Sequence, residues 1–310
     1  MRRFDRTAIV SVSSALLLLT PAGSSSLKAS STTDQTIGMP TSSLDLRALP
    51  LGNGKSSASP ASNFLYRCGG TPQGGPPVRT PPWVDESAKT WNAKTKQAVR
   101  GRVTWNSSFT AKRAGSKEVL KGNGLPRRSG TFPVESSDPA YAYNPDPDPV
   151  TKHTVKVTLP YNPKANSRPT CERGVVGVAI DGIPILDGFD AGGNDAAGVE
   201  TQDTCHGHPN RNAGYHYHAL SPCILSTKAR TTTTQVGWAL DGFGIYAEYD
   251  RKKRLITNSK LDVCHGRTSK VPWHGKKVRI YHYVATWEFP YTVGCFRGTE
   301  TRSSTISPPF

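Results

Sequence analysis

The stretch Asp203-Thr-Cys-His-Gly-His-Pro-Asn-Arg-Asn-Ala-Gly-Tyr-His-Tyr-His218 concentrates four of the chain's eight histidines into thirteen residues, as the pairs His206/His208 and His216/His218. Successive side chains of a strand point to opposite faces. His216 and His218 are therefore expected on one face and Tyr215 and Tyr217 on the other. Two parallel imidazoles make half of a transition-metal site, because neutral imidazole binds zinc and copper alike. His206 and His208, one short loop upstream, are the expected source of the remaining ligands. A site built from three protein ligands keeps a position for water or substrate.

Acidic residues crowd the same region: Asp181, Asp187, Asp190, Asp195, Glu200, Asp203 and Asp241. Of these, Asp181, Asp195, Glu200, Asp203 and Asp241 are candidates to orient the imidazoles. They are also candidates for a calcium cage, since calcium prefers carboxylate and carbonyl oxygens. Asp181-Gly182 and Asp241-Gly242 stand in near-identical contexts and read as tight hairpin turns. The competing reading of the histidines is a hydrogen-bonded His/Tyr network around a disulfide; two spaced pairs favour the metal. No serine-hydrolase elbow, His-Glu-x-x-His helix or dinucleotide fingerprint occurs. The enzyme chemistry left open is metal-assisted hydrolysis, a lyase-type hydration, or copper oxidation. The alternative is a non-catalytic extracellular binding module with structural histidines. Substrate and metal identity are left open.

The elements that must carry these residues are strands. Alternating runs such as His153-Thr-Val-Lys-Val-Thr-Leu159 and Lys277-Val-Arg-Ile-Tyr-His-Tyr-Val-Ala285, broken by Pro, Gly, Asn and Asp, predict a mainly β domain with long loops. An internal repeat organises it. Val176-Gly-Val-Ala-Ile-Asp-Gly-Ile-Pro-Ile185 recurs as Val236-Gly-Trp-Ala-Leu-Asp-Gly-Phe-Gly-Ile245. Asp203-Thr-Cys-His-Gly-His208 recurs as Asp262-Val-Cys-His-Gly-Arg267, Tyr215-His-Tyr-His218 as Tyr281-His-Tyr-Val284, and Cys223 as Cys295. Kept block order predicts duplicated β units, about 171–225 and 231–298, related by a pseudo-twofold in a sandwich- or barrel-like fold. The second copy lacks counterparts of His208 and His218. It reads as scaffold, or as the donor of His265 or His282 across the pseudo-dyad.

The six cysteines are even in number and none are in Cys-x-x-Cys spacing. The repeat pairs them as Cys205–Cys223 and Cys264–Cys295, leaving Cys68–Cys171. Three disulfides imply an oxidising compartment. Arg2, Arg3 and Arg6 precede a short apolar run, Ala8 to Leu19, with small residues at Ala22, Gly23 and Ser24. That is the pattern of a signal peptide over 1–23, too short for a comfortable span, with no transmembrane span after cleavage. The expected location is secreted or periplasmic. Residues 24–65, rich in Ser, Thr, Gly and Pro, read as a disordered linker, and 66–310 as the folded domain. Formal net charge is +16. The one tight basic cluster, Arg251-Lys-Lys-Arg254, reads first as a solvated turn. An acidic extracellular surface or polymer is the alternative partner; no motif supports specific nucleic-acid binding.

These blocks, together with Asp195-Ala196, Glu200, Ser221-Pro-Cys223 and Phe289-Pro-Tyr-x-x-Gly-Cys295, resemble the YHYH-domain family of mostly exported proteins over roughly residues 100–300. The resemblance implies export and supplies no catalytic role to carry over. One departure stands out. The segment Gly124-Leu-Pro-Arg-Arg-Ser-Gly130 resembles a family segment that often carries a histidine near the position of Arg128.

Overall fold

In the computed structural model, residues 41–72, 79–144, 146, 148–210, 214–226, 228–301 and 304–307 are described. The expected signal peptide, 1–23, lies outside the described residues, as does 24–40. Among the described residues strands dominate, and the one α-helix is a single turn, Ala196–Val199.

The principal sheet has eight strands, numbered here in chain order: β1 Val175–Ala179, β2 Pro184–Leu186, β3 Gly207–Pro209, β4 Tyr215–Tyr217, β5 Thr234–Ala239, β6 Gly244–Ala247, β7 Gly266–Trp273 and β8 Lys276–Val284. Their spatial order is β3-β4-β2-β1-β5-β6-β8-β7. The sheet is open, with β3 and β7 at its edges, so no barrel closes. At its centre β1 pairs antiparallel with β5, Val178 opposite Trp238, Gly177 opposite Ala239 and Ala179 opposite Gly237. Exchanging the two sequence repeats leaves that register unchanged, as a twofold relation between the halves would require. The pairing outward repeats as well. β2 meets β4 in parallel with Ile185 opposite Tyr217, and β6 meets β8 in parallel with Ile245 opposite Tyr283.

A four-stranded antiparallel sheet, in the order 304–307, 154–160, 117–122, 109–114, forms a second sheet. Strand Thr154–Pro160 alternates exposed and buried positions, burying Val155, Val157 and Leu159. Those side chains join one core with Val176, Val178 and Ile185 of the principal sheet and with Ile183 of the turn between β1 and β2, as sandwich-like packing does. Disulfides join Cys68–Cys171, Cys205–Cys223 and Cys264–Cys295.

The part of the expected linker that is described, 41–65, is anchored to the domain at a few buried positions, although most of its residues are exposed or half-buried. Leu49 and Leu65 are fully buried, and Leu49–Pro50 pairs with Thr90–Trp91. The backbone N–H of Gly52 donates to Asp195 Oδ2, and Asn53 Oδ1 accepts from the Asp195 N–H. A few well-spaced leucines and cap contacts are enough to fix a chain whose composition is otherwise that of a tether. Arg251–Arg254 forms a turn in which Arg254 pairs with Asp250 at 2.7 Å. Among the described residues no helix is long and apolar enough to cross a membrane.

Candidate metal centre

β3 and β4 pair antiparallel with His208 directly opposite His216. Cross-strand partners share a face, and His218 lies two residues further along on that face. Three imidazoles therefore converge, each no more than 5% exposed. Ligand atoms from His208, His216 and His218 all lie within 4.8 Å of one another. The tyrosines between them point the other way, as expected. The Tyr215 hydroxyl donates to Asp203 at 2.8 Å and the Tyr217 hydroxyl to Asp181 at 3.0 Å.

The expected fourth histidine is elsewhere. His206 has φ of +59° in the turn that precedes β3, so it does not share the strand alternation of His208. Its Nδ1 faces the Leu220 carbonyl at 3.2 Å, and its ring packs edge-on to Trp287. Neither expected donor from the second repeat arrives. His265 Nε2 meets Thr286 Oγ1 at 3.1 Å, and His282 Nε2 meets Glu248 at 3.0 Å.

Of the five acidic candidates, Glu200 alone reaches the triad. Its Oε2 lies 3.1 Å from His208 Nε2 and 3.4 Å from His218 Nε2. Glu200 caps the C-terminus of the one-turn helix, whose N-terminus is capped by Asp195. Asp195 also accepts from Tyr291 and Gly52, so it anchors the element that presents Glu200. Asp203 accepts from the N–H groups of Gly130, Cys205 and Gly207 besides Tyr215. Asp181 closes the turn at Gly182, and Asp241 does the same at Gly242 while accepting from Tyr283. These carboxylates are engaged by local donors. The His triad is the sole metal-type cluster among the described residues. Asp146 was not expected at the site: it comes from the Pro-rich connector, and its Oδ2 lies 3.4 Å from His208 Nδ1. His153, buried beside Gly124, is a further imidazole within electrostatic reach of His216.

Hydrogen bonding sets the tautomers. His216 Nδ1 faces the Gly214 carbonyl at 3.0 Å, and His218 Nδ1 faces the Asp187 carbonyl at 2.5 Å. A carbonyl only accepts, so both protons sit on Nδ1 and both Nε2 atoms carry lone pairs. Those two Nε2 atoms are 3.0 Å apart. Facing lone pairs at that distance repel unless a proton or a cation lies between them. A proton is disfavoured: burial, then the charges of His208 and His218, hold His216 well below the usual histidine range. Burial likewise lowers His218, against the pull of Glu200. Buried His208 Nε2 and Glu200 Oε2 have no hydrogen-bond partner among the described residues. Tetrahedral ligands about 2.0–2.1 Å from zinc are about 3.3 Å from each other. The donor set fits a transition-metal ion.

Burial works against the His208 imidazolium, but Glu200 and Asp146 outweigh it and push the group up to about 10. Glu200, despite burial, is held down at about 2 by His208, His218 and Lys96. The triad opens on a cavity of about 490 Å³ whose wall includes Asp146, Asp187, Asp190, Arg67 and Arg173.

The equivalent place in the second repeat is closed by charge. Arg267 stands opposite His282, where His208 stands opposite His216. Glu248 lies 3.0 Å from His282 Nε2 and 4.0 Å from Arg267 Nε, with Val284 in the position of His218. The scaffold is retained. Tyr281 donates to Asp262 and Tyr283 to Asp241, matching Tyr215–Asp203 and Tyr217–Asp181. Gly207 and Gly266 recur because a Cβ at either would overlap the phenol of Tyr215 or Tyr281. The tyrosines of the motif are thus fold clamps, and His208, His216 and His218 are the group that could hold a metal ion.

The family described as YHYH protein matches residues 156–258, a span that holds the whole triad and Glu200. The match is narrower than the 100–300 of the sequence resemblance and ends before the second Cys-His-Gly block. Arg128, the departure noted there, lines a different cavity from the triad. No curated protein and no solved structure matches the chain.

Proposed function

We propose that this protein, which carries a YHYH domain over residues 156–258, is an exported metal-binding protein whose first repeat holds one zinc or copper ion on His208, His216 and His218. The carrying observation is the pair of lone-pair-bearing Nε2 atoms of His216 and His218, 3.0 Å apart in a buried site. Three disulfides support export, since such bonds persist in oxidising compartments.

His208, His216 and His218 line the 490 Å³ cavity, and an ion held by three protein ligands would keep a position for water or substrate. Bound there, zinc would supply activation of water for hydrolysis or hydration, and copper would supply oxidation. The chain's own contribution is definable. Gly214 and Asp187 carbonyls fix two imidazole tautomers, and Glu200 and Asp146 hold a proton on His208 until a cation displaces it. The second reading, a non-catalytic binding module, is supported by the ion pairs of His208 with Glu200 and Asp146, which balance its charge without a metal although they leave His208 Nε2 without a hydrogen bond.

Titration of chelator-treated protein with Zn(II) and Cu(II) separates the readings. The metal reading expects one tight equivalent of either ion, lost by orders of magnitude in His216→Ala/His218→Ala. Binding no tighter in wild type than in the double variant would leave the module. Metal-dependent hydrolysis of 4-nitrophenyl acetate, absent in the double variant, would favour an enzyme over storage.

A further inference from the structure

Tyr217 points away from the triad, and on its side of β4 a second cavity of about 450 Å³ is lined by Arg102, Arg127, Arg128, Thr104 and Asp181 as well as Tyr217. The local fold gathers the cations. Val103–Thr104 and Arg128–Ser129 pair antiparallel, with Thr104 opposite Arg128 and Val103 opposite Ser129. Alternation puts Arg102, Thr104 and Arg128 on one face of this ribbon. Ser129, on the opposite face, is buried and accepts from Trp105. Arg127, at the ribbon's end, reaches the same cavity.

All three arginines are solvent-exposed at the cavity wall, so water screens their mutual repulsion, and what distinguishes them is that they share one concave site. Arg67, Arg173 and Arg254 each have a carboxylate partner within 3 Å. Among the described residues no carboxylate lies within ion-pairing distance of Arg102, Arg127 or Arg128. The acidic group in the cavity wall is Asp181, which accepts from the Tyr217 hydroxyl and the Ile183 N–H and is also within electrostatic reach of Arg127. Arg128 is held without being neutralised: its Nε and Nη2 lie 3.4 and 3.3 Å from Cys223 Sγ of the Cys205–Cys223 bridge. A side chain pinned by a sulfur keeps its charge available. Against Asp181 alone, the three arginines leave a cavity of roughly two net positive charges.

From this cluster we infer that the protein has a second, metal-independent ligand site, where Arg102, Arg127 and Arg128 bind the terminal phosphate of a phosphomonoester. A phosphomonoester carries about 1.5 to 2 negative charges at neutral pH and three acceptor oxygens. It therefore matches both the net charge and the number of forked donors, which sulfate esters and carboxylates, with one charge each, do not. Thr104 offers a hydroxyl beside the guanidiniums. The cavity exceeds a phosphate group, so the esterified organic part lies within it too. Alternation along β4 sends His216 and His218 to the opposite face from Tyr217, so this site and the triad are independent.

The test uses the full chain after chelator treatment, at low ionic strength, with phenyl phosphate as probe, followed by calorimetry or phosphorus NMR. One saturable site is expected, at least about tenfold tighter for phenyl phosphate than for phenyl sulfate. Arg102→Gln/Arg128→Gln should weaken it at least about tenfold, while His216→Ala/His218→Ala and Arg113→Gln, on the exposed strand 109–114 and outside the cavity lining, leave it within about twofold. Absence of saturable binding, equal affinity for phenyl sulfate, or equal loss in Arg113→Gln would overturn the site. Loss in the histidine variant would assign the phosphate to the triad and overturn it equally. Should the double variant fail to form its three disulfides, Arg127→Gln alone carries the test, with a several-fold loss expected and no change refuting.

Discussion

Metal binding should displace a proton from His208 well above the pH at which ordinary histidines are already neutral. His208 is held at about 10 by Glu200 and Asp146, whereas His216 and His218 are lowered by burial. At pH 8.5 the last two are neutral and release nothing, while His208 is still an imidazolium. A ligand must offer its lone pair, so each ion bound expels about one proton. At pH 7 the displacement opposes binding by about 4 kcal/mol, and apparent affinity rises about tenfold per pH unit toward pH 10. Three unperturbed imidazoles would instead release less than about 0.1 proton at pH 8.5. Calorimetry in two buffers of different ionisation enthalpy reads the number directly. Glu200→Gln removes the main partner of His208, so the release at pH 8.5 should fall below about half a proton. Water ionising on a bound ion would add a proton in both proteins, and the difference between them isolates His208. Equal proton release in wild type and Glu200→Gln would refute this electrostatic reading.

The remaining predictions concern the frame around the site. In chelator-treated protein the His208–Glu200 pair stabilises the fold fully between about pH 4.5 and 6.5, fading as pH rises through about 10 or falls through about 2; a urea-stability profile unchanged by Glu200→Gln in that window would contradict it. Asp203→Ala strands three buried N–H groups and the Tyr215 hydroxyl, and should cost about 3–5 kcal/mol in guanidinium unfolding, with less than about 1 kcal/mol counting against it. Lys96 is buried, donating to Ala197 and Gln202, and burial lowers it to about 8. The unfolded chain then binds the extra proton between pH 8 and about 10.5, so stability rises with pH across that window by about 3 kcal/mol. Lys96→Met should remove that rise, and an identical pH slope in the variant would contradict the assignment. Cys205→Ala/Cys223→Ala opens the loop that carries all three ligands. It should cost about 3 kcal/mol of stability and weaken Zn(II) binding, and unchanged affinity would show that the strands alone position the triad.

What could be read before any coordinates was whatever depends on backbone periodicity. The alternation of Tyr215, His216, Tyr217 and His218 follows from strand geometry alone. The disulfide pairing followed from the order of the repeated blocks. His206 escaped that logic because a turn at positive φ intervenes between it and His208, and spacing in sequence does not reveal a turn. Asp203 and Asp181 read as candidates near a metal because carboxylates serve many roles; the structure engages them with N–H groups and tyrosine hydroxyls. Asp146 was invisible because the connector that bears it has no periodicity. The packing of Leu49 and Leu65 was hidden because two or three well-placed leucines barely move the composition of a Ser- and Gly-rich stretch.

Whether His208, His216 and His218 hold an ion is tested most directly by elemental analysis of native protein purified without chelator. The expected result is about one zinc or copper per chain, retained in His206→Ala because that side chain faces Leu220 and Trp287, and lost in His216→Ala/His218→Ala. Native protein without stoichiometric metal after dialysis against zinc or copper, or a double variant that keeps as much as wild type, would contradict it.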